Sequence, residues 1–271
     1  MNLSLPSFLL ACAVMWLPAS LTFSQNTPAF VDIGEEAGLT MEGQHHAVAI
    51  GDYDNDGDED IYVGSKFAPN ALYRNEGNMT FVEVGAEAGV ADEGFTNAAI
   101  WFDFDNDGDL DLATGNGYGG SSAAPNRFYV NQGDGTFVDM AEAWGLNSTL
   151  MCRSLHAADY DQDGFTDLYV VNINAENHFF KNTDGEGFVN VYQQTGTLDT
   201  GVGMGSIFFD YDNDGDQDLY LTHDANQTNK LYRNQGDGTF INLAFFAGLN
   251  YQGNCMGVDV ADINHDGWLD L

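Results

Sequence analysis

Short apolar runs recur along this chain in a fixed order. "AVAIGD", "AAIWFD", "LHAAD", "SIFFD" and "VDVAD" each run into an acidic loop, and the first four loops lead into a second run: "DIYVGS", "DLATGN", "DLYVVN" and "DLYLTH". Runs this short, bounded by turn formers, predict buried strands rather than helices. A hairpin pattern follows in "NALYRNEGNMTFVEV", "NRFYVNQGDGTFVDM", "NHFFKNTDGEGFVNV" and "NKLYRNQGDGTFINL". Asn75, Asn131, Asn182 and Asn234 stand before its Gly-rich turn, and Phe81, Phe137, Phe188 and Phe240 after it. Gly and Asp at such a turn tolerate the positive φ that a tight hairpin needs. A Gly eight residues after each Phe closes the unit, at Gly89, Gly145, Gly196 and Gly248.

The acidic loops that separate the first two strands are "DYDNDGDED" from Asp52, "DFDNDGDLD" from Asp103, "DYDQDGFTD" from Asp159, "DYDNDGDQD" from Asp210 and "DINHDGWLD" from Asp262. They start at intervals of 51, 56, 51 and 52 residues, a period that marks a repeat architecture. Four short strands per period define an all-β fold, a β-propeller of four-stranded blades. Residues 46–249 make four complete blades and the last residues a partial fifth. "AFVDIGEEAGL", residues 29–39, has the form of a fourth strand with its closing turn, and the chain stops just after the fifth loop at "DGWLDL". The expectation is an open arc cut from a closed ring, with residues 29–33 as the strand that closes it.

Charge narrows the partners. The chain has 42 Asp and Glu against 7 Lys and Arg, a formal charge of −35, which disfavours nucleic acid and anionic membranes and favours cations. The five loops hold 23 of those acids, so the excess belongs largely to one motif. At the N-terminus, "FLLACAVMWLPAS" is followed by "LTFSQ", where Thr22 and Ser24 suit cleavage before Gln25. Residues 1–24 are therefore expected to be a secretory signal, without a basic n-region, and residues 25–271 the propeller fragment. No later segment is apolar for long enough to span a membrane. Cys152 and Cys255 each lie seven residues before the first Asp of their loop, two repeats apart, and are expected as separate thiols; export argues instead for a bridge.

The loops carry the chemistry. In "DYDNDGDED" the carboxylates of Asp52, Asp54, Asp56 and Asp60, at positions 1, 3, 5 and 9, can converge on one point. Gly57 allows the sharp turn and the carbonyl of Asp58, at position 7, points inward. Hard oxygen donors of this kind favour Ca²⁺ over zinc or copper. The corresponding ligands are Asp103, Asp105, Asp107, Asp109 and Asp111; Asp159, Asp161, Asp163, Phe165 and Asp167; Asp210, Asp212, Asp214, Asp216 and Asp218; and Asp262, Asn264, Asp266, Trp268 and Asp270. Up to five ions follow. Position 12, where an EF-hand needs Glu, is Val63, Thr114, Val170 and Leu221 in the first four copies, and the flanks are strands, so position 9 must close each site.

D-x-D-x-D-G-x-x-D between the first two strands of a blade, followed by "LYRN.G.GTF" and "AGL", resembles the FG-GAP and VCBS repeats of integrin α-subunit propellers. "FVDIGEEAGL" resembles most the secreted group related to cartilage acidic protein, which often carries a C-terminal ASPIC/UnbV domain. The resemblance covers residues 29–271 and implies a seven-bladed, calcium-binding propeller that serves recognition or adhesion, with an extracellular protein or glycan as partner. Two function classes stay open: a non-catalytic recognition module, and a secreted calcium-dependent polysaccharide-active enzyme such as a lyase. No catalytic constellation stands out. Arg74 and Arg233 recur at one repeat position, which suggests a structural role. His45, His46, Cys152, Arg153 and Cys255 fall at one end of the blades, either as a functional rim or as ordinary loop residues.

Overall fold

A computed structural model describes residues 31–117 and 124–271. The expected secretory signal and residues 29 and 30 of the expected closing strand lie outside the described residues. The chain divides into Met1–Ile33 and Gly34–Leu271, and within the first unit Val31, Asp32 and Ile33 have no regular secondary structure.

The second unit opens with a helical turn, α1 (Gly34–Ala37), followed by four antiparallel four-stranded sheets. Blade 1 is β1 (His45–Gly51), β2 (Asp60–Ser65), β3 (Ala71–Asn75) and β4 (Phe81–Glu83), paired in that order. The turn α2 (Gly85–Ala88) leads to blade 2, with β5 (Thr96–Phe102), β6 (Asp111–Asn116), β7 (Arg127–Asn131) and β8 (Phe137–Asp139). Blade 3 has β9 (Cys152–Ala158), β10 (Asp167–Asn172), β11 (His178–Asn182) and β12 (Phe188–Asn190), then α3 (Tyr192–Thr195). In blade 4, β13 (Gly203–Phe209) and β14 (Asp218–His223) pair with β16 (Lys230–Asn234) and β17 (Phe240–Asn242). A short ladder joins β15 (Gln227–Thr228) to β18 (Gln252–Gly253) after the turn α4 (Ala244–Ala247).

The first strands stand side by side in the row β1, β5, β9, β13, as the first strands of propeller blades do. Strands β6, β10 and β14 are buried along their whole length, which is why their sequences read as unbroken apolar or small runs rather than alternating ones. The core lies between blades. Tyr62, Leu72 and Val90 of blade 1 pack with Leu112 and Phe137 of blade 2, and Phe104 and Phe128 of blade 2 with Leu168 and Phe188 of blade 3. Tyr169 and Phe179 meet Leu219 and Phe240 across the next interface, and Val258 and Val260 of the fifth repeat pack on Phe209, Tyr220 and Leu231. Each such large buried side chain stabilises the fold by about 1.5–3 kcal/mol.

The closing turns dock on the following blade. A Cβ on Gly196 would lie 2.7 Å from the Phe240 carbonyl oxygen, and one on Gly38 would lie 2.4 Å from that of Phe81. Both residues have positive φ, so glycine serves close approach and left-handed backbone together. Gly38 thus sits on blade 1 as Gly196 sits on blade 4, and Ala37 joins a core with Ala71, Tyr73 and Phe81. "EEAGL" therefore meets blade 1 in the way that the closing turn of blade 3 meets blade 4. Cys152 and Cys255 are free thiols. Among the described residues no helix is long and apolar enough to cross a membrane.

Candidate metal centres

The loops fold from the same local bonds, with one of them missing in the second loop. The position-1 carboxylate reaches forward over the turn: Asp52 accepts from the backbone N–H of Asp56 and Gly57 at 3.0 and 2.9 Å. Asp159, Asp210 and Asp262 repeat both bonds. Asp103 keeps the bond from Gly108. Position 6 has φ between +87° and +94° in all five loops, a backbone that glycine adopts without strain.

The position-9 carboxylate is the anchor. Asp60, Asp111, Asp167 and Asp218 are at most 2 % exposed, and each accepts one backbone N–H from position 2 and one from the Asn that ends the third strand. That Asn is a hub. Asn182 donates from Nδ2 to the Thr166 carbonyl in its own loop and to the Phe104 carbonyl of the preceding blade, and accepts from the Gly185 N–H. Asn131 and Asn234 do the same with Tyr53 and Tyr160. The aromatic at position 2 points across the same interface: Tyr53, Phe104 and Tyr160 lie 5.7–5.9 Å, centroid to centroid, from Phe137, Phe188 and Phe240 of the next blade.

Carboxylate oxygens from positions 1, 3 and 9 lie within 4.8 Å of one another in four loops: Asp52, Asp54 and Asp60; Asp103, Asp105 and Asp111; Asp159, Asp161 and Asp167; Asp210, Asp212 and Asp218. Two oxygens bound to one Ca²⁺ at 2.3–2.6 Å can be no more than about 5 Å apart, so the spacing fits. The buried oxygens Asp54 Oδ1, Asp103 Oδ1, Asp161 Oδ1 and Asp212 Oδ1 have no hydrogen-bond donor, one in each triad. A buried anionic oxygen without a donor is costly, and a cation at that point satisfies it.

Electrostatics agrees. Burial raises the carboxyl of Asp111 and of Asp167 to about 7, and those of Asp60 and Asp218 to about 6; the backbone hydrogen bonds oppose the rise and the acids at positions 3 and 5 add to it. Asp54 and Asp105 are also raised, by burial first and then by the neighbouring acids. The donor set is all oxygen, which suits calcium rather than zinc.

The other expected ligands stand differently. At position 5, Asp56, Asp107, Asp163, Asp214 and Asp266 each accept the N–H two residues on, so one oxygen serves the turn. In the third and fourth loops a basic side chain takes part of the charge. Lys181 donates to Asp161 and, at 3.0 Å, to Asp163. Arg233 donates to Asp212 and Asp214 at 2.8 and 3.1 Å. At position 7, the side chains of Asp109 and Asp216 accept amide donors from Asn55 and Gln162 of the preceding loop, Phe165 is half-buried and Trp268 exposed. In the fifth loop Asn264 stands at position 3 and accepts from Asp266 N–H, while Asp270 accepts from Ile263 N–H as its counterparts do from position 2.

Sequence reasoning missed a relay at position 4. Asn55, Asn106, Gln162 and Asn213 have φ of 57–62° and donate to the carbonyls of Gly108, Gly164, Gly215 and Gly267, each in the next loop. A side-chain amide at one position in four consecutive copies was the available signal. Among the described residues the four triads are the groups of three or more His, Cys, Asp or Glu able to hold a metal.

The fold and its repeated acidic loops define a class of blade-repeat protein. Four overlapping segments, residues 52–114, 103–170, 159–221 and 210–271, match the FG-GAP-like repeat, and the chain belongs to that family. It is similar to cartilage acidic protein 1 of Mus musculus, 28 % identical over 237 residues, and of Homo sapiens, 28 % identical over 238 residues. Each alignment covers 83 % of this chain but 36 % and 35 % of those proteins, so the chain spans about a third of their length. A solved structure of an Agrocybe aegerita lectin, described as recognising non-reducing terminal N-acetylglucosamine, aligns with a TM-score of 0.45 and 22 % identity over 78 % of this chain and 54 % of the lectin.

Proposed function

We propose that this chain is a calcium-binding, non-catalytic recognition module that works outside the cytoplasm, with residues 1–24 as its secretory signal and an extracellular protein or glycan as its partner. Calcium is held by positions 1, 3 and 9 of each loop, and the position-5 carboxylate and position-7 carbonyl complete its oxygen shell. The fifth loop binds more weakly, because Asn264 replaces one charge. The observation that carries this reading is the triad in which a buried carboxylate oxygen has no donor, repeated in four loops.

Calcium here is structural. It neutralises acids that otherwise repel one another at the blade interfaces, and it fixes the start of each second strand through the position-9 carboxylate. Equilibrium dialysis of the full chain against millimolar Ca²⁺ should find at least four ions, with Zn²⁺ displacing none. Fewer than three ions, or displacement by zinc, would overturn the assignment. Incubation with acidic polysaccharides should release no unsaturated products; their release would replace the recognition role with a lyase.

A further inference from the structure

At the ends of the inner strands remote from the metal loops, each blade carries the same irregularity. His45 and Ala47 face the adjacent residues Ser65 and Gly64, so His46 is one extra residue in β1. Asn97 is extra between Thr96 and Ala98, and Arg153 between Cys152 and Ser154. In β13 the extra residue falls between Gly203 and Ser206, where Met204 lies. Bulges re-aim side chains and accompany functional sites. His46, Asn97, Arg153 and Met204 each stand six residues before the first Asp of their loop, and Met256 holds that place in the fifth repeat. All five line one cleft of about 380 Å³, together with Ser206.

The chemistry of the cleft contrasts with the rest of the molecule. No acid lines it, in a chain of charge −35. Arg153 makes no ion pair within 4 Å among the described residues. Two polar atoms of its wall are buried without partners: Ser206 Oγ, in a residue 6 % exposed, and Asn97 Oδ1, in a residue 8 % exposed. Asn97 is held by its own amide, which donates to the Gly117 and Cys152 carbonyls at 2.7 and 2.9 Å and leaves Oδ1 as a fixed acceptor. The acidic loops lie a strand length away, about 20 Å at 3.3 Å per residue, beyond the ~8 Å screening length at physiological salt. The guanidinium therefore keeps its pull on an anion.

We propose that this cleft binds the carboxylate of an acidic sugar, a uronate residue of a glycan. Arg153 takes the carboxylate, for which a guanidinium is the matched donor. The sugar hydroxyls supply the donors that Asn97 Oδ1 and Ser206 Oγ lack, once the side chains that bury the two oxygens move aside. Met204 and Met256 offer an apolar floor to the C–H face of the ring. A peptide carboxylate satisfies the arginine but leaves the two orphaned oxygens unmatched. The inference rests on the recognition role above and does not route through the ions.

The test is calorimetry and saturation-transfer NMR on the full, calcium-loaded chain with glucuronate and galacturonate, beside glucose, acetate and a Glu-rich peptide. A uronate should bind with millimolar or better affinity, at least about tenfold more tightly than glucose, acetate or the peptide. Arg153→Gln should weaken it at least about tenfold, and Ser206→Ala about threefold, with unchanged melting temperature and calcium count. Failure of both uronates, equal binding by Arg153→Gln, or acetate or peptide binding as tightly as a uronate would each overturn the proposal. Calcium bound with no uronate bound sinks this inference alone. Uronate bound by a chain that takes up no calcium sinks the metal reading and leaves this one standing.

Discussion

At Asp111 and Asp167, burial and the neighbouring acids favour the protonated carboxyl, and both groups rise from the ordinary Asp range to about 7. A carboxyl raised on folding contributes stability that is complete below its unfolded value and is lost as pH rises through the folded one. Without calcium the chain should therefore melt higher at pH 5 than at pH 8. Calcium must displace those protons, so its affinity should fall roughly 25-fold from pH 7.5 to 5.5 at these two sites and only about fourfold at the sites closed by Asp60 and Asp218. Calcium titrations at the two pH values, on variants that keep one site each, would show it; equal affinities would contradict the protonation argument. Lys181 tests the same residues from the other side. Its ammonium holds Asp161 and Asp163, and burial alone would raise Asp163 but the lysine keeps it below the usual range. Lys181→Met should lower the calcium-free melting temperature yet tighten calcium at that loop roughly threefold to tenfold, because no tethered cation competes.

The elements are short, and three-residue strands such as β8 and β12 hold no blade together alone. What joins blade to blade, besides apolar packing, is the Asn that ends the third strand of blades 2, 3 and 4. Asn182→Ala would strip donors from the buried Phe104 carbonyl and the part-buried Thr166 carbonyl and an acceptor from Gly185 N–H, and should cost about 2–3 kcal/mol in chemical denaturation. Asn75, whose Nδ2 donates to Glu59 O within its own loop, is the control: Asn75→Ala should cost less. Equal losses would mean that the link between blades contributes nothing. The strands themselves were legible, since apolar runs between fixed turn residues leave little choice of period. The hub role of Asn75, Asn131, Asn182 and Asn234 was not, because their position before a Gly-rich turn is explained by the turn alone. The position-2 aromatics hid for a similar reason: Tyr53 and Phe104 sit inside acidic loops, where charge draws the eye, although their side chains belong to the next blade's core.

For the whole molecule, five loops at intervals of 51 to 56 residues predict the blades, and positions 1, 3 and 9 come together in four of them. The cleft of His46, Asn97, Arg153, Met204 and Met256 was only half legible. Their shared offset from the loops can be counted in the sequence, but that the first four sit at bulges depends on strand register, which no short pattern encodes. The role of the ions is tested most directly by thermal unfolding of the full chain in excess chelator and in about 10 mM Ca²⁺. Each site stabilises the native state by about 2.7 kcal/mol at a hundredfold excess over Kd, so four sites should raise the melting temperature by at least about 10 °C. A melting temperature that chelator leaves unchanged would contradict the assignment of these loops as structural calcium sites.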